Sequence, residues 1–519
     1  MVERNSSSTF TGNVSVNQGT LTVTGGNNNS NPIASSLGNM TTAGRTVTVA
    51  AGAKLSLNAS DAMGSYQYKT PVVFVANGGT IENGAGAFMS IGDIILMNGG
   101  RINTVNGANP GYQVFNLRGS ITVSGTSGST ITTTGSSQNG IHLGGTTIAA
   151  TTFNVGATGD PVADLTVSAP LLNEVYNTGA LVKTGAGKMV LSAANTYTGV
   201  TTVTQGTLQL AKTASLYNST PASWTAANIN VKSGGTLAFN VGGTGEFTTG
   251  NVTTLLTNLA ASSSATNGMN AGAALGFDTT NASGSNFTIA DGIADTTGAS
   301  GGARGLTKLG TNRLTLSGTN TYGGGTTINA GTLNVNADAA LGNSAGAVGI
   351  SNGATLQAAG TVTTAARTLT LGAGGGVIDT NGNTVNFNSG STVTGTALTK
   401  SGTGTLNFGV SSGLTGLGAL AANNGTTHVN SALGTGTSTV SVTAATTLKF
   451  GSVSQTLSSL TIGAGSTVTF TSGLASFSGG SGGKAPSRGG GSAVVPEPGT
   501  LGLLLVGALG MLNRRRRQA

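Results

Sequence analysis

Side chains that could perform acid–base chemistry are few in this sequence. The closest acidic groupings are Asp160 with Asp164 and Asp291 with Asp295. Two carboxylates that flank a glycosidic bond can hydrolyse it, and clustered carboxylates can bind Ca²⁺. However, Asp160 precedes a proline, and the other pair lies in a segment with Gly and Thr, so turns are favoured in both places. We therefore expect these carboxylates to be structural.

Metal and nucleophile sites are also poorly supported. The chain has two histidines, His142 and His428, and no cysteine, which argues against zinc sites and disulfides. Gly-x-Ser-x-Gly occurs at 298–302, 342–346 and 479–483, but a chain with 88 Gly produces such matches by chance. Glycine-rich loops here lack the ending of a phosphate-binding loop. We predict no cofactor, no metal and no enzymatic activity.

The composition excludes several protein classes. Of 519 residues, 7% are charged and 4% aromatic, which is too little for ordinary compact cores, while 37% are hydrophobic, which disfavours disorder. Glycine has no three-residue period, so collagen is excluded. The formal net charge of +8 includes four consecutive arginines at 514–517, and the remainder of the chain has no dense basic stripe. Nucleic-acid binding is therefore not expected.

Internal repeats organise the rest of the chain. Residues 180–216 and 305–341 align without a gap, and partial copies lie near 8–23 and at 397–408. Residues shared by the two best copies include Lys183 and Lys308, Asn195 and Asn320, Tyr197 and Tyr322, and Leu208 and Leu333. We interpret the repeated tyrosine, Tyr197 and Tyr322, as an aromatic residue packed at a corner of the fold.

The residue pattern of the repeats predicts short β-strands. Leu208 and Leu210 alternate with Thr207 and Gln209, which is typical of a strand that buries one face. Many short strands could also form a sandwich or a barrel. A solenoid needs only a thin core of small apolar residues, which this sequence can supply. The prediction is an all-β fold, a right-handed parallel β-helix over residues 1–477.

The C-terminal end differs from the repeats. Residues 478–492 have the composition of a flexible Gly/Ser-rich linker, and residues 493–519 contain Pro496, Glu497 and Pro498. An apolar stretch then precedes four arginines, which predicts a short transmembrane helix with a basic stop-transfer end. A hydrophobic tail of a soluble protein is the alternative. The membrane segment comprises Leu501, Leu503, Leu504, Leu505, Val506, Leu509, Met511 and Leu512, and the basic end comprises Arg514, Arg515, Arg516 and Arg517.

This three-part tail resembles the PEP-CTERM sorting signal of Gram-negative bacteria. The resemblance implies export, membrane retention, recognition by an exosortase and cleavage near residues 496–498. It also implies an association with bacteria that produce exopolysaccharide. Similarly, the Leu-x-Lys-x-Gly and Asn-Thr-Tyr pattern resembles the autotransporter-associated β-strand repeat, with departures such as Met189 and Asn312. That resemblance implies a surface-exposed β-helix.

The first residues of the chain do not have the pattern expected of an export signal. Residues 1–8 contain no apolar segment, and a partial repeat begins at once, so we expect the N-terminal signal peptide to be missing from this chain.

The expected protein is a structural or adhesive β-helix of the cell surface or extracellular matrix, anchored in the membrane before processing. The alternative is a carbohydrate-binding or polysaccharide-degrading β-helix. Expected partners are an exosortase, exopolysaccharide or other surface glycans, the membrane, and further copies of the chain through exposed end strands.

Overall fold

The chain divides into two compact units. Unit 1 comprises Met1–Gly276 and Asp295–Arg304, and unit 2 comprises Phe277–Ala294 and Gly305–Ala519. The structure is a computed structural model, and it describes residues 10–24, 35–59, 62, 70–84, 89–105, 115–134, 140–144, 149–174, 177–409, 413–433, 438–443, 445–471, 475–477 and 491–494.

Unit 1 consists mainly of short strands, as the alternating apolar pattern predicts. Three 3-10 turns, Thr213–Ser215, Tyr217–Ser219 and Pro221–Ser223, interrupt them. The strands are β1 (Val14–Val16), β2 (Thr20–Val23), β3 (Thr46–Val49), β4 (Lys54–Leu57), β5 (Val73–Asn77), β6 (Thr80–Asn83), β7 (Met89–Ile91), β8 (Ile94–Met97), β9 (Arg101–Val105), β10 (Phe115–Leu117), β11 (Ile121–Ser124), β12 (Ser129–Thr134), β13 (Ile141–Leu143), β14 (Ala150–Val155), β15 (Leu165–Val167), β16 (Leu171–Asn173), β17 (Ala180–Thr184), β18 (Lys188–Leu191), β19 (Thr201–Val203), β20 (Gly206–Leu210), β21 (Ile229–Val231), β22 (Gly235–Asn240) and β23 (Gly268–Met269).

These strands form stacked parallel sheets. Sheet 1 contains β1, β3, β5, β8, β11, β14, β17, β19, β21 and β23 in that order, and sheet 2 contains β2, β4, β6, β9, β12, β15, β18, β20 and β22. Sheet 3 contains β7, β10, β13 and β16. Successive strands along the chain pass from sheet to sheet, and each pairs with the strand one coil earlier. This winding is that of a β-solenoid, which confirms the predicted class.

Unit 2 repeats the same winding. The strand β24 (Ala274–Asp278) contains the boundary between the units, and the 3-10 turns of unit 2 are Ser283–Ser285 and Asp338–Leu341. The remaining strands are β25 (Asn286–Ile289), β26 (Gly305–Leu309), β27 (Arg313–Leu316), β28 (Thr326–Ile328), β29 (Thr332–Val335), β30 (Val348–Ile350), β31 (Thr355–Ala358), β32 (Val362–Thr364), β33 (Thr368–Leu371), β34 (Gly376–Asp379), β35 (Thr384–Phe387), β36 (Thr392–Gly395), β37 (Leu398–Ser401), β38 (Thr405–Phe408), β39 (Gly413–Leu417), β40 (Ala419–Ala422), β41 (Thr426–Val429), β42 (Thr439–Val442), β43 (Thr447–Phe450), β44 (Gln455–Leu457), β45 (Ser459–Ile462), β46 (Thr467–Phe470), β47 (Ala475–Phe477) and β48 (Gly491–Val494).

Sheet 4 contains β25, β27, β29, β31, β34, β37, β40, β42 and β45, and sheet 5 contains β26, β28, β30, β33, β36 and β39. Sheet 6 contains β32, β35, β38, β41, β43 and β46 in parallel, followed by β48, which pairs antiparallel with β46. The strand β48 therefore includes the last two residues of the predicted linker. The strands β44 and β47 pair with each other in parallel.

The core consists of apolar side chains that occupy equivalent positions on successive coils and stack on one another. In sheet 2, Leu55, Ile81 and Ile102 lie one above another on β4, β6 and β9, and all are fully buried. In sheet 6, the rings of Phe387 and Phe408 stack with centroids 5.5 Å apart. Each rung contributes only a few apolar residues, and the solenoid gains its core by repetition. The predicted right-handed winding stays a prediction from the sequence.

Within the residues that the structure describes, one α-helix departs from the all-β prediction. Helix α1 (Thr249–Asn258) lies between β22 and β23 and begins with a capping box between Thr248 and Asn251. Its buried residues Val252, Leu255 and Leu256 recur with helical spacing. The capping residues and the helical spacing were therefore present in the sequence, but the strand pattern on both sides obscured them.

Candidate functional site

The lysine of each full repeat is buried and bound by main-chain oxygens. Lys308, which is fully buried, donates through Nζ to the carbonyl oxygens of Leu309 (2.7 Å), Gly310 (2.6 Å) and Ala330 (3.1 Å). Lys183 donates to the equivalent oxygens of Thr184, Gly185 and Gln205. The third oxygen in each set comes from the next coil, so the ammonium group links two rungs.

The partial copy at 397–408 also contains a buried lysine bound by carbonyl oxygens, but its set of acceptors differs. Lys400 donates to the carbonyl oxygens of Gly402, Gly404 and Asn424, and to the hydroxyl of Thr380 in the preceding coil. Burial lowers the pKa of each of the three lysines to about 8. A nearby aspartate opposes this shift in each case: Asp164, Asp278 and Asp379, respectively.

Sequence reasoning aligned these lysines without recognising their role. A usable signal exists, because Leu306 and Lys308 are two residues apart in one strand and therefore point to the same side. An inward lysine needs main-chain acceptors, and the glycine two residues later supplies a turn with exposed carbonyls. Gly310 has a φ of +75°, and a Cβ there would lie 2.2 Å from the Asp278 carboxylate, so only glycine fits.

The Asn-Thr-Tyr segment forms the corner of the repeat. The amide of Asn320 accepts from the main-chain N–H of Ile293 (2.7 Å) and donates to the carbonyl of Ala340 (2.6 Å), so it bridges two other segments. The hydroxyl groups of Tyr322 and Thr326 lie 2.6 Å apart, and Tyr322 is fully buried. In the other full copy, Asn195, Tyr197 and Thr201 make the equivalent contacts, which confirms the prediction of packed corner tyrosines.

Three aspartates of the two acidic groupings accept hydrogen bonds from nearby main-chain N–H groups and so stabilise turns. The carboxylate of Asp160 accepts from the main-chain N–H groups of Val162, Ala163 and Gly128, which lower its pKa. Asp164 is buried and accepts from the N–H and hydroxyl of Thr158. In the second grouping, Asp295 accepts from the N–H of Arg304 (2.9 Å). Across the part of the chain that the structure describes, no three acidic or histidine side chains gather as a metal site.

A buried polar cluster lies on sheet 3. Ser90, Asn116 and His142 are paired in register on β7, β10 and β13, and all three are buried. Two residues further along the strands, Arg118 and Glu174 form an ion pair at 3.3 Å with both side chains almost fully buried. Burial is the main cause that lowers the pKa of His142 to about 4, so this histidine is neutral at pH 7.

We expect the stability of unit 1 to decrease as the pH falls from about 6.5 to about 4. Over this range the unfolded chain binds a proton at His142 while the folded chain does not, so the free energy of unfolding decreases by about 2–3 kcal/mol. Urea unfolding followed through the buried Trp224 measures it. The matched variant His142→Gln should lose this part of the pH dependence, and an unchanged pH profile would contradict the assignment.

The predicted sorting segment has no described geometry. Residues 496–498, the apolar stretch 501–512 and the arginines 514–517 lie outside the described residues. Within the residues that the structure describes, no helix has the length and apolar character needed to span a membrane. The predicted C-terminal transmembrane helix stays a prediction from the sequence.

Comparison with known families accounts for both the repeats and the tail. A family model described as the passenger-associated-transport repeat matches residues 5–23, 181–210 and 306–335. A second model, described as the PEP-CTERM protein-sorting motif, matches residues 494–517. The chain contains passenger-associated-transport repeats and a PEP-CTERM sorting motif. Each full repeat match spans the bound lysine and the Asn-Thr-Tyr corner described above.

The two findings agree with the resemblances inferred from the sequence. The PEP-CTERM motif indicates a secreted or cell-envelope surface protein, and it implies processing by an exosortase. The matched repeats cover less than a fifth of the chain, and residues 397–408 lie outside them although Lys400 is also bound by carbonyl oxygens. No curated protein and no solved structure matches the chain.

Proposed function

We propose that this protein is a non-enzymatic structural or adhesive component of the cell surface or extracellular matrix. The observation that carries the proposal is a PEP-CTERM motif joined to stacked parallel sheets with passenger-associated-transport repeats. In this proposal residues 501–512 hold the chain in the membrane, the arginines stay on the cytoplasmic side, and an exosortase cleaves near Pro496–Pro498. The solenoid then remains at the surface or is released.

The distribution of charge supports a role in weak, repeated contacts. Outward strand positions are occupied mainly by Thr, Ser and Asn, which can donate and accept hydrogen bonds. Many of the cations are inside the solenoid instead. Those buried are Arg45, Arg118, Lys183, Arg304, Lys308, Arg367 and Lys400.

Processing of the tail is the first property to test. We expect the surface or secreted form to lack the arginines 514–517, because the sorting reaction removes everything after the motif. Intact mass and C-terminal peptide analysis of each cell fraction would measure this. The variant Pro496→Ala/Pro498→Ala should retain the full tail in the membrane fraction, whereas Pro486→Ala in the preceding segment should be processed normally. A full-length chain in the cytoplasm would contradict the proposal.

The absence of catalysis is part of the proposal. Asp160, Asp164 and Asp295 accept main-chain hydrogen bonds, which is the role of turn residues. Glycan depolymerisation assays test this point directly. Any activity that is abolished by Asp160→Asn or Asp291→Asn would favour a polysaccharide-degrading protein instead.

A further inference from the structure

Sheet 6 carries an unbroken row of threonines on its outward side. Along these strands Val385 and Phe387 are buried, so the alternate positions face outward. The paired residues on five consecutive strands are all threonine. This row, called the threonine row, consists of Thr384, Thr405, Thr426, Thr447 and Thr467 on β35, β38, β41, β43 and β46.

The hydroxyl groups of the threonine row are free to bind another molecule. All five residues are partly exposed, and none of their hydroxyls has a hydrogen-bond partner within the part of the chain that the structure describes. The adjacent outward row differs: Asn407 donates to Asn386 (2.7 Å), and Asn386 donates to Thr363 (3.0 Å). That row is linked internally, while the threonine row is not.

The geometry suits an extended polymer with many hydroxyl groups. Strands in a sheet lie about 4.8 Å apart, so the row presents hydroxyls at that interval over roughly 19 Å. Threonine is stiff at χ1 because it is β-branched, so little side-chain entropy is lost on binding. Each hydroxyl can donate and accept, and each methyl group offers a small apolar contact.

The charge on this face favours an acidic polymer. Lys449 lies on β43 two residues from Thr447, is exposed and forms no ion pair within the described residues. The outward positions of β35, β38, β41, β43 and β46 contain no Asp or Glu. His428, in the same outward row as Lys449, has its pKa lowered by burial and by Lys449, so it is mainly neutral at pH 7.

We propose that the threonine row, together with Lys449, binds an acidic polysaccharide chain that lies along sheet 6. This inference rests on the proposed surface function and names its partner and its face. Sheet 5 offers a matched comparison, because its outward row Thr307, Thr327, Thr370 is interrupted by Gly349 between β28 and β33. An interrupted row offers fewer consecutive hydroxyls to one polymer.

Binding of the full chain to immobilised alginate, a polyuronate, tests the proposal, with dextran as the neutral polymer. We expect Thr405→Val/Thr426→Val/Thr447→Val to weaken alginate binding roughly tenfold or more, since three hydrogen bonds are lost while the β-branched shape is kept. The control Thr307→Val/Thr327→Val/Thr370→Val should change binding by no more than about twofold. Lys449→Met should weaken alginate binding and reduce its dependence on salt.

Equal losses in the two triple variants, or unchanged binding in the first, would overturn the proposal. Equal affinity for dextran and alginate would overturn its electrostatic part. Circular dichroism of each variant checks that the strands are retained. If the protein is processed and surface-located but does not bind alginate, this inference fails and the proposed function stands. If the protein binds alginate but stays unprocessed in the cytoplasm, the proposed function fails and the assignment of the binding face stands.

Discussion

Replacement of Arg367 by Met is expected to lower the free energy of unfolding of unit 2 by about 3 kcal/mol or more. Arg367 is almost fully buried, and all five of its N–H donors are used. Its Nε and Nη2 pair with the carboxylate of Asp338 at 2.9 and 3.1 Å. The remaining donors bind the carbonyl oxygens of Asn343 and Gly346 through Nη1 and that of Gly342 through Nη2.

The expected loss of stability is large because the acceptors of the Arg367 hydrogen bonds remain buried without their donor. Removing the guanidinium leaves the Asp338 carboxylate, only 16% exposed, without its cation. The carbonyl oxygens of Gly342 and Gly346 lose their donor, and that of Asn343 keeps only the main-chain N–H of Gly346. Arg367→Lys should also be destabilising, since an ammonium group cannot reproduce the planar set of donors. Hydrogen exchange over residues 338–371 measures the effect.

The exposed Arg313 provides the control for this experiment. Its Nε donates only to Asn286 (2.9 Å), so Arg313→Met should change stability by less than about 0.5 kcal/mol. If Arg367→Met and Arg313→Met had the same effect, the network around Arg367 would not stabilise the fold as described.

Replacement of Lys183 by Met is expected to destabilise unit 1 by about 2–4 kcal/mol. The methionine preserves most of the packing of the lysine stem between Phe153 and Val203 on the neighbouring strands. It removes the ammonium group, so the carbonyl oxygens of Thr184, Gly185 and Gln205 lose their donor. Because one of these belongs to the next coil, we expect local opening of the stack around β17 to β20 as well.

Urea unfolding followed by the fluorescence of Trp224, the only tryptophan, reports on this change. Lys232→Met is the matched control, since Lys232 is a partly exposed lysine of the same unit. Its substitution should alter the free energy of unfolding by less than about 0.5 kcal/mol. A Lys183→Met protein as stable as the Lys232→Met protein would show that the bound ammonium contributes little.

Much of the repeat geometry was predictable from local pattern. Alternation of Leu208 and Leu210 with polar residues fixes the inward side of β20, because strand side chains have a period of two. The same rule applied to Leu306 and Lys308 would have placed the lysine inside. The sequence could not show which carbonyl oxygens receive it, since Ala330 lies 22 residues further along the chain.

The segment of unit 1 that contains the 3-10 turns and helix α1 was less predictable from the sequence than the repeats. The segment around Pro221 and Trp224 forms 3-10 turns between the strands, and the indole N–H of Trp224 donates to the carbonyl of Leu216 (3.0 Å). Helix α1 was missed although Val252, Leu255 and Leu256 have helical spacing. A ten-residue helix gains most of its stability from packing, which sequence periodicity alone does not reveal.

The sequence by itself determined the strand character, the repeated lysine and Asn-Thr-Tyr positions, and the sorting tail, because each depends on residues close together in the chain. Only the tertiary structure decided which residues from different coils meet. Arg367 reaches Asp338, 29 residues earlier, and the threonine row forms from residues about 20 apart. The length of each coil sets these contacts, and coil length follows from how the chain closes around its core.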